Sequence, residues 1–261
     1  MTIKACRLPL AFDAARLQAD LELIAPDEWI PHFNAQYHEG GWSGVALRAI
    51  GGKAAQLYPD PLATAFADTP VLERCPSLRE ALAVFQSPLQ SVRLLRIAAG
   101  AGIREHRDYN LGFEDGEIRM HIPITTNPGV EFVLDGQRMD MRPGECWYLD
   151  FNLRHHVRNH GATDRVHLVI DCRVDDWIRA LIASADVARF SAEATALGRF
   201  RELVLDDDGL RERLRAIEDR DAFIESMVAA GRDRGCAFTA DEVRAELRAA
   251  QRSWHEREIG R

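Results

Sequence analysis

A run of short, closely spaced strand-like segments between Ser91 and Arg173 limits the possible folds of this chain more than any other feature. The segments include SVRLLRIA, EIRMHIPI, VEFVLDG, QRMDM, ECWYLDF and DRVHLVIDCR, which are rich in β-branched and aromatic residues. Gly, Pro, Asn or Asp separates one segment from the next, as at the ends of strands. Many short strands at such spacing predict a β-sandwich or a β-barrel.

One of these segments indicates which face of its strand is buried. Successive side chains of a strand point to opposite faces. In EIRMHIPI the apolar side chains therefore share one face, and they are Ile118, Met120, Ile122 and Ile124. Arg119 and His121 lie on the other face. We expect the first face to pack in the core and the second face to carry the chemistry.

Helical patterns flank the strand-rich stretch on both sides. In the N-terminal third, Asp13–Ile24 and Ser77–Phe85 have helical patterns between loops marked by GG and PDP, and we expect them to form a layer around the β core. After Cys172, apolar residues recur at helical spacing. The predicted organisation is a β domain with an N-terminal helical layer, residues 1–185, followed by a helical C-terminal domain, residues 186–261.

Composition argues against several classes of protein. The 46% apolar and 28% charged fractions are those of an ordinary globular protein. No stretch reaches the roughly 20 apolar residues of a membrane span, and the N-terminus lacks a basic region followed by an apolar run. The formal charge of −8 opposes binding to a phosphate backbone, so we expect small molecules or peptides as partners and no nucleic acid or membrane. Five scattered cysteines without a C-x-x-C pair predict reduced thiols and a cytoplasmic protein.

Histidines are concentrated in the strand-rich stretch, where six of the nine lie between positions 106 and 167. His106 and Asp108 form a His-x-Asp pair, and residues two apart on an extended segment project to the same face. A returning strand could supply the third donor from His155, with His156 and His160 as competitors. Two histidines and a carboxylate leave coordination positions open, as in non-haem iron(II) oxygenases, although the same donors also suit zinc or manganese.

Arg165 follows His155 by ten residues and suits a dicarboxylate ligand. A planar guanidinium binds a carboxylate through two parallel hydrogen bonds and does not lose its charge. The far end of a five-carbon dicarboxylate needs a group of this kind. A simpler interpretation is an exposed arginine at the start of a strand.

Five motifs in fixed order resemble the aspartyl/asparaginyl β-hydroxylase family, which also contains free-proline hydroxylases of bacteria. They are HRD at 106–108, RMHIPITTNP at 119–128, GECWYLD at 144–150, HHVRNHG at 155–161 and DRVHLVID at 164–171. The likeness covers roughly residues 40–175. It implies a double-stranded β-helix, or jelly roll, and an Fe(II)- and 2-oxoglutarate-dependent dioxygenase that hydroxylates an amino-acid side chain.

The resemblance also implies a role for each matching residue. His106, Asp108 and His155 would be the catalytic iron ligands, because the family pattern puts the second histidine first in H-x-V-x-N and His156 then faces away. Arg165 would anchor the distal carboxylate of 2-oxoglutarate. His121 would contact this cosubstrate near the metal, and Arg119 would bind the carboxylate of the substrate.

The C-terminal segment has a second resemblance, to the Nif-eleven leader-peptide family, over about residues 198–253. Thr239 followed by Glu242 is a capping box that predicts the start of one helix there. Such a helical unit could dock a peptide, cover the active site or form a homodimer. It favours an Asp/Asn-type hydroxylase of a peptide or small acidic substrate. The alternatives are hydroxylation of a free amino acid such as proline, or a cupin-like metal-binding protein without turnover.

Overall fold

The computed structural model describes residues 3–32, 40–57, 65–185, 207–217 and 219–245, with a few single positions between 196 and 247. The chain divides into two compact units, Met1–Phe190 and Ser191–Arg261. The domain boundary expected between residues 185 and 186 stays a prediction, because residues 186–195 lie outside the described part of the chain.

The described residues of the first unit form two sheets in which all paired strands are antiparallel. The strands are β1 (Ala5–Ala11), β2 (Ile30–Pro31), β3 (Trp42–Ile50), β4 (Phe66–Asp68), β5 (Leu89–Ile97), β6 (Gly102–His106), β7 (Glu117–Thr125), β8 (Val130–Leu134), β9 (Gln137–Arg138), β10 (Glu145–Leu149), β11 (His155–Asn159) and β12 (Arg165–Arg173). The larger sheet has the order β1-β10-β7-β12-β5-β3-β2, with β4 beside β3, and the smaller sheet has the order β6-β11-β8-β9.

The chain alternates between the two sheets as it passes from β5 to β12. Strands β5, β7, β10 and β12 belong to the larger sheet, whereas β6, β8, β9 and β11 belong to the smaller one. This alternation is that of a double-stranded β-helix, so the jelly-roll prediction is confirmed. All six strand-like segments of the sequence become strands.

Helices cover the outer face of the larger sheet. They are α1 (Ala14–Leu21), α2 (Pro70–Glu73), α3 (Pro76–Leu82) and α4 (Asp176–Ala183). Buried side chains of these helices share one core with Ile118, Met120, Ile122 and Ile124, each of which has no exposed surface. The predicted apolar face of β7 is therefore confirmed. Full burial of one such side chain stabilises a fold by about 1.5–3 kcal/mol.

The N-terminal third is more than a helical layer, because β1 and β3 extend the larger sheet. The first six residues of β3, Trp42 to Leu47, are all buried, so this strand lacks the alternation of a sheet with one solvated face. That is why the sequence pattern did not predict it. The turn before β10 requires glycine at position 144. Gly144 has a φ of +84°, and a Cβ added to it would lie 2.2 Å from the Phe12 carbonyl oxygen, so a residue with a side chain does not fit there.

The second unit has its own apolar core, to which Phe200, Leu210, Ile224 and Phe238 contribute. Helices α5 (Asp208–Arg215) and α6 (Arg220–Asp233) are described in it. The Thr239 hydroxyl accepts a hydrogen bond from the Glu242 amide, and the Glu242 carboxylate accepts one from the Thr239 amide. The predicted capping box is therefore confirmed. Across the described residues, no helix combines the length and apolar character needed to span a bilayer.

Candidate active site

A cavity of about 480 Å³ lies in the first unit, and strands of both sheets contribute to its wall. Its wall includes every residue that the sequence assigned to a site, namely His106, Asp108, Arg119, His121, His155 and Arg165. Arg119 and His121 reach it from the face of β7 opposite the buried isoleucines, as the two-residue period predicts.

Strand pairing brings the proposed metal ligands together. His155 of β11 is the direct antiparallel partner of His106, the last residue of β6. Asp108 follows two residues later, and its backbone amide donates a hydrogen bond of 2.9 Å to the Phe151 carbonyl oxygen. One ligand atom from each of His106, Asp108 and His155 lies within 4.8 Å of the other two. Among the described residues, no other group of three or more His, Cys, Asp or Glu meets this criterion.

Hydrogen bonds fix which imidazole nitrogen can bind a metal. The Nδ1 atom of His106 lies 2.8 Å from the Arg104 carbonyl oxygen, and Nδ1 of His155 lies 3.0 Å from the Leu153 carbonyl oxygen. A carbonyl oxygen only accepts, so both Nδ1 atoms carry the proton and both Nε2 atoms present a lone pair. Burial, followed by the charge of His106, lowers the pKa of His155 to about 4, which keeps its imidazole neutral.

Asp108 is held by a buried chain of charges. Arg119 donates to Oδ2 of Asp108 at 2.5 Å, while its Nε and Nη2 donate to the two carboxylate oxygens of Asp171 at 2.7 and 3.0 Å. Arg93 also donates to Asp171. Burial, the largest single effect, would raise the pKa of Asp108, but the surrounding positive charges, with Arg119 first among them, together outweigh burial and lower the pKa. Since Oδ2 is occupied by Arg119, Oδ1 is the atom left to face a metal.

Arg165 lies buried at another part of the cavity, and only 2% of it is exposed. Its Nη2 donates to Nδ1 of His167 at 2.7 Å, and its Nε has no hydrogen-bond partner among the described residues. No carboxylate of the described residues forms an ion pair with it. Burial lowers its pKa to about 9, so the guanidinium is still charged at neutral pH.

The competing histidines lie outside this cluster. His156 and His160 have Nε2 atoms 3.9 and 3.7 Å from the Glu131 carboxylate. His156 alternates with His155 along β11, so its side chain points away from the cavity. Neither residue lines the cavity wall.

Sequence reasoning assigned no role to several polar residues of the cavity wall, among them Gln90, Arg93, Glu117 and Asp171, or to His167, which accepts a hydrogen bond from Arg165. His167 and Asp171 follow Arg165 at even spacing on β12, so the strand period alone could have placed them on its inward face. Arg93 lies between the apolar residues Val92 and Leu94 of β5 and is only 5% exposed. The two-residue period of β5 could have predicted that the Arg93 side chain points inward. Its ion pair with Asp171, however, depends on the register between β5 and β12.

The residues present fit both a divalent metal and a dicarboxylate. Two Nε2 lone pairs and one carboxylate oxygen form a three-donor set of the kind that binds non-haem iron(II). Of the buried arginines that line the cavity, Arg93 and Arg119 pair with the carboxylates of Asp171 and Asp108, whereas Arg165 forms no ion pair among the described residues. A buried guanidinium without a carboxylate partner requires an anion. Arg165 therefore suits the far end of a dicarboxylate.

Fold and site together define a jelly-roll protein with a His-Asp-His cluster that could hold one metal ion, in the same cavity as a buried arginine that forms no ion pair among the described residues. A family model described as aspartyl/asparaginyl beta-hydroxylase matches residues 12–174, and the chain belongs to this family.

Two curated relatives are proline hydroxylases. L-proline cis-4-hydroxylase of Rhizobium meliloti (strain 1021) is 30% identical over 166 residues, which cover 61% of this chain and 57% of the relative. L-proline cis-3-hydroxylase 1 of a Streptomyces species is 27% identical over 186 residues, which cover 70% of this chain and 64% of the relative. The matches thus span less than two thirds of either relative's length.

A solved structure also resembles the chain. It is an oxidoreductase of the 2OG-Fe(II) oxygenase family from Burkholderia pseudomallei, 18% identical, with a TM-score of 0.44 and coverage of 66% of this chain and 86% of the other.

Proposed function

We propose that this protein is an Fe(II)- and 2-oxoglutarate-dependent dioxygenase that hydroxylates a free amino acid, with proline or a proline-like compound as the first candidate. The observation that carries the proposal is the convergence of His106, Asp108 and His155 in one cavity with the buried, uncompensated guanidinium of Arg165. Family membership supports the same reaction class.

The residues divide the work of such a reaction between them. When bound, Fe(II) and 2-oxoglutarate supply the oxidising power that inserts an oxygen atom of O₂ into a C–H bond. Arg165 holds the distal carboxylate of the cosubstrate, with its orientation fixed by His167. Arg119 holds Oδ2 of Asp108 and thereby turns Oδ1 towards the metal. Phe151 packs edge-on against His155 with ring centroids 4.7 Å apart, which restricts the rotation of that imidazole and shields it from water.

A free amino acid is better supported as the substrate than an Asp or Asn residue of a peptide. Both curated relatives named above carry names of enzymes that act on L-proline. Arg93 and Arg119 line the same cavity as the metal ligands and favour a substrate with a carboxylate. Arg119 would bind the substrate carboxylate in addition to its three described hydrogen bonds with Asp108 and Asp171.

Turnover with defined substrates tests the proposal. Anaerobically purified protein is given Fe(II), 2-oxoglutarate and either a free amino acid or an Asp- or Asn-containing peptide, and O₂ is then added. We expect succinate and a product heavier by about 16 mass units with a free amino acid. His155→Ala should abolish both products, whereas His156→Ala, on the outer face of the same strand, should retain them. Metal binding without succinate from any substrate would instead indicate a non-catalytic metal-binding protein.

A further inference from the structure

The cavity wall that carries Arg93 and Arg119 also carries two hydrogen-bond acceptors with no described role. The Oε1 atom of Gln90 is buried and has no hydrogen-bond partner among the described residues. The carboxylate of Glu117 is half-buried, and within the described part of the chain it accepts no hydrogen bond and forms no ion pair. Both residues line the cavity. Acceptors in this state need a donor from a ligand or from water.

Strand register places these acceptors beside the arginines. Glu117 pairs with Arg173 and Arg119 pairs with Asp171, so Glu117 and Arg119 share the inward face of β7. Gln90 and Arg93 lie on β5, which flanks β12 on the side opposite β7. The pairing of β12 with β5 shifts register between Ile170 and Cys172, close to Gln90. This part of the wall therefore offers cationic donors and unused acceptors side by side.

Within the described residues no cation forms an ion pair with Glu117, and the arginines at longer range offset only part of the effect of its burial. Asp171 already accepts hydrogen bonds from both Arg93 and Arg119, so its own charge is compensated. Burial, followed by the negative charge of Asp171, raises the pKa of Glu117. A cationic group placed against Glu117 would stabilise its charged form and so offset both its burial and the repulsion from Asp171. The ammonium group of an amino acid is such a group, and it would lie near the arginines that suit the carboxylate.

We propose that Glu117 is a specificity-determining residue that binds the ammonium group of a free, zwitterionic amino acid, with Gln90 Oε1 as a second acceptor. The inference rests on the proposed function and deepens it. A residue within a peptide has an amide nitrogen without charge in place of the ammonium group. Glu117 would then keep an uncompensated charge in the cavity, so the wall selects free amino acids over peptides.

Binding measurements test this assignment without turnover. The protein is loaded with Mn(II) and 2-oxoglutarate under anaerobic conditions, and calorimetry gives the Kd of free L-amino acids, L-proline first, and of their N-acetyl derivatives. For the best-bound free amino acid, Glu117→Gln should raise the Kd about 10- to 100-fold, because a hydrogen bond between two charged groups is lost. The Kd of its N-acetyl derivative should stay within about twofold, and Glu117→Asp should restore part of the loss.

Two comparisons separate the possible failures. Glu114→Gln removes the same charge from an exposed position three residues away and should leave every Kd unchanged. An unchanged Kd for 2-oxoglutarate shows that Glu117→Gln retains a folded site. If the wild-type protein does not bind 2-oxoglutarate, the proposed function fails. If it does, then an equal loss for free and N-acetylated ligands, no loss for either, or no binding of any free amino acid overturns the role of Glu117.

Discussion

The Nδ1 atoms of His121 and His167 lie 3.2 Å apart inside the cavity wall. Arg165 donates to the same His167 nitrogen at 2.7 Å, and a guanidinium has no acceptor, so His167 Nδ1 must be the unprotonated, accepting nitrogen. His121 must then donate from Nδ1. Its Nε2, buried and without a partner among the described residues, is consequently a hydrogen-bond acceptor. A carboxylate cannot donate to this atom, so direct contact with 2-oxoglutarate requires a proton on Nε2 or a bridging water.

The tautomers of these two histidines are directly measurable. In ¹⁵N spectra of metal-free protein with labelled histidine, we expect His121 to be protonated at Nδ1 only and His167 at Nε2 only. His167→Leu removes the acceptor for both Arg165 and His121. It should therefore mix the tautomers of His121 and weaken 2-oxoglutarate binding by about 5- to 10-fold, the effect of one lost hydrogen bond. A His121 that is protonated at Nε2 in the wild-type protein would contradict the proposed order of donors.

The same histidines make stability depend on pH. Burial, followed by the charge of Arg165, holds the pKa of His121 and of His167 well below the usual value. The unfolded chain therefore takes up protons near pH 6.5 that the folded chain does not, and stability falls as the pH decreases through that value. Urea titrations of metal-free protein between pH 7 and pH 5 should show a loss of up to about 1.4 kcal/mol per pH unit for each of the two. His121→Gln should reduce that slope by the share of one histidine.

Arg165 should cost stability when no anion is bound. Replacing this buried cation by Met removes an uncompensated charge and keeps much of the volume, so the metal-free and 2-oxoglutarate-free protein should be stabilised by about 1 kcal/mol or more. The same variant should lose most of the rise in Tm that 2-oxoglutarate gives the wild-type protein. Thermal unfolding with and without 2-oxoglutarate measures both effects. Arg173→Met, exposed on the same strand, should change neither, and a variant at Arg165 that keeps the full rise would contradict the anchor role.

Local sequence spacing was sufficient for much of the site. The period of β7 separated Ile118 and its apolar neighbours from Arg119 and His121, because a strand imposes that alternation whatever its partners. The His-x-Asp pair needed no long-range information either, since His106 ends β6 and Asp108 follows it by two residues. The choice of the third member, His155, came from the H-x-V-x-N order of the family that the sequence resembles, and alternation along β11 then turns His156 outward.

Pairings across strands could not be predicted in the same way. The ion pairs of Asp171 join β12 to β5 and β7, and its partners depend on the register of both pairings. A shift of one residue would turn each side chain to the other face. The same holds for the N-terminal strand β3: its first six residues are all buried, so its sequence has no two-residue period that would separate a strand from another buried element.

Asp171 should be essential for stability as well as for the metal site. It is the carboxylate shared by Arg93 and Arg119, and it is 1% exposed. Asp171→Asn removes the buried carboxylate charge that Arg93 and Arg119 share, so we expect the free energy of unfolding to fall by about 3–5 kcal/mol. Glu80→Gln, which breaks the exposed pair with Arg16, should cost less than about 1 kcal/mol. Urea denaturation gives both values. Calorimetry of the folded Asp171→Asn variant should also show weaker Mn(II) binding, because Asp171 no longer anchors the Arg119 side chain that positions Asp108. Equal losses of stability in the two variants would refute the buried charge chain.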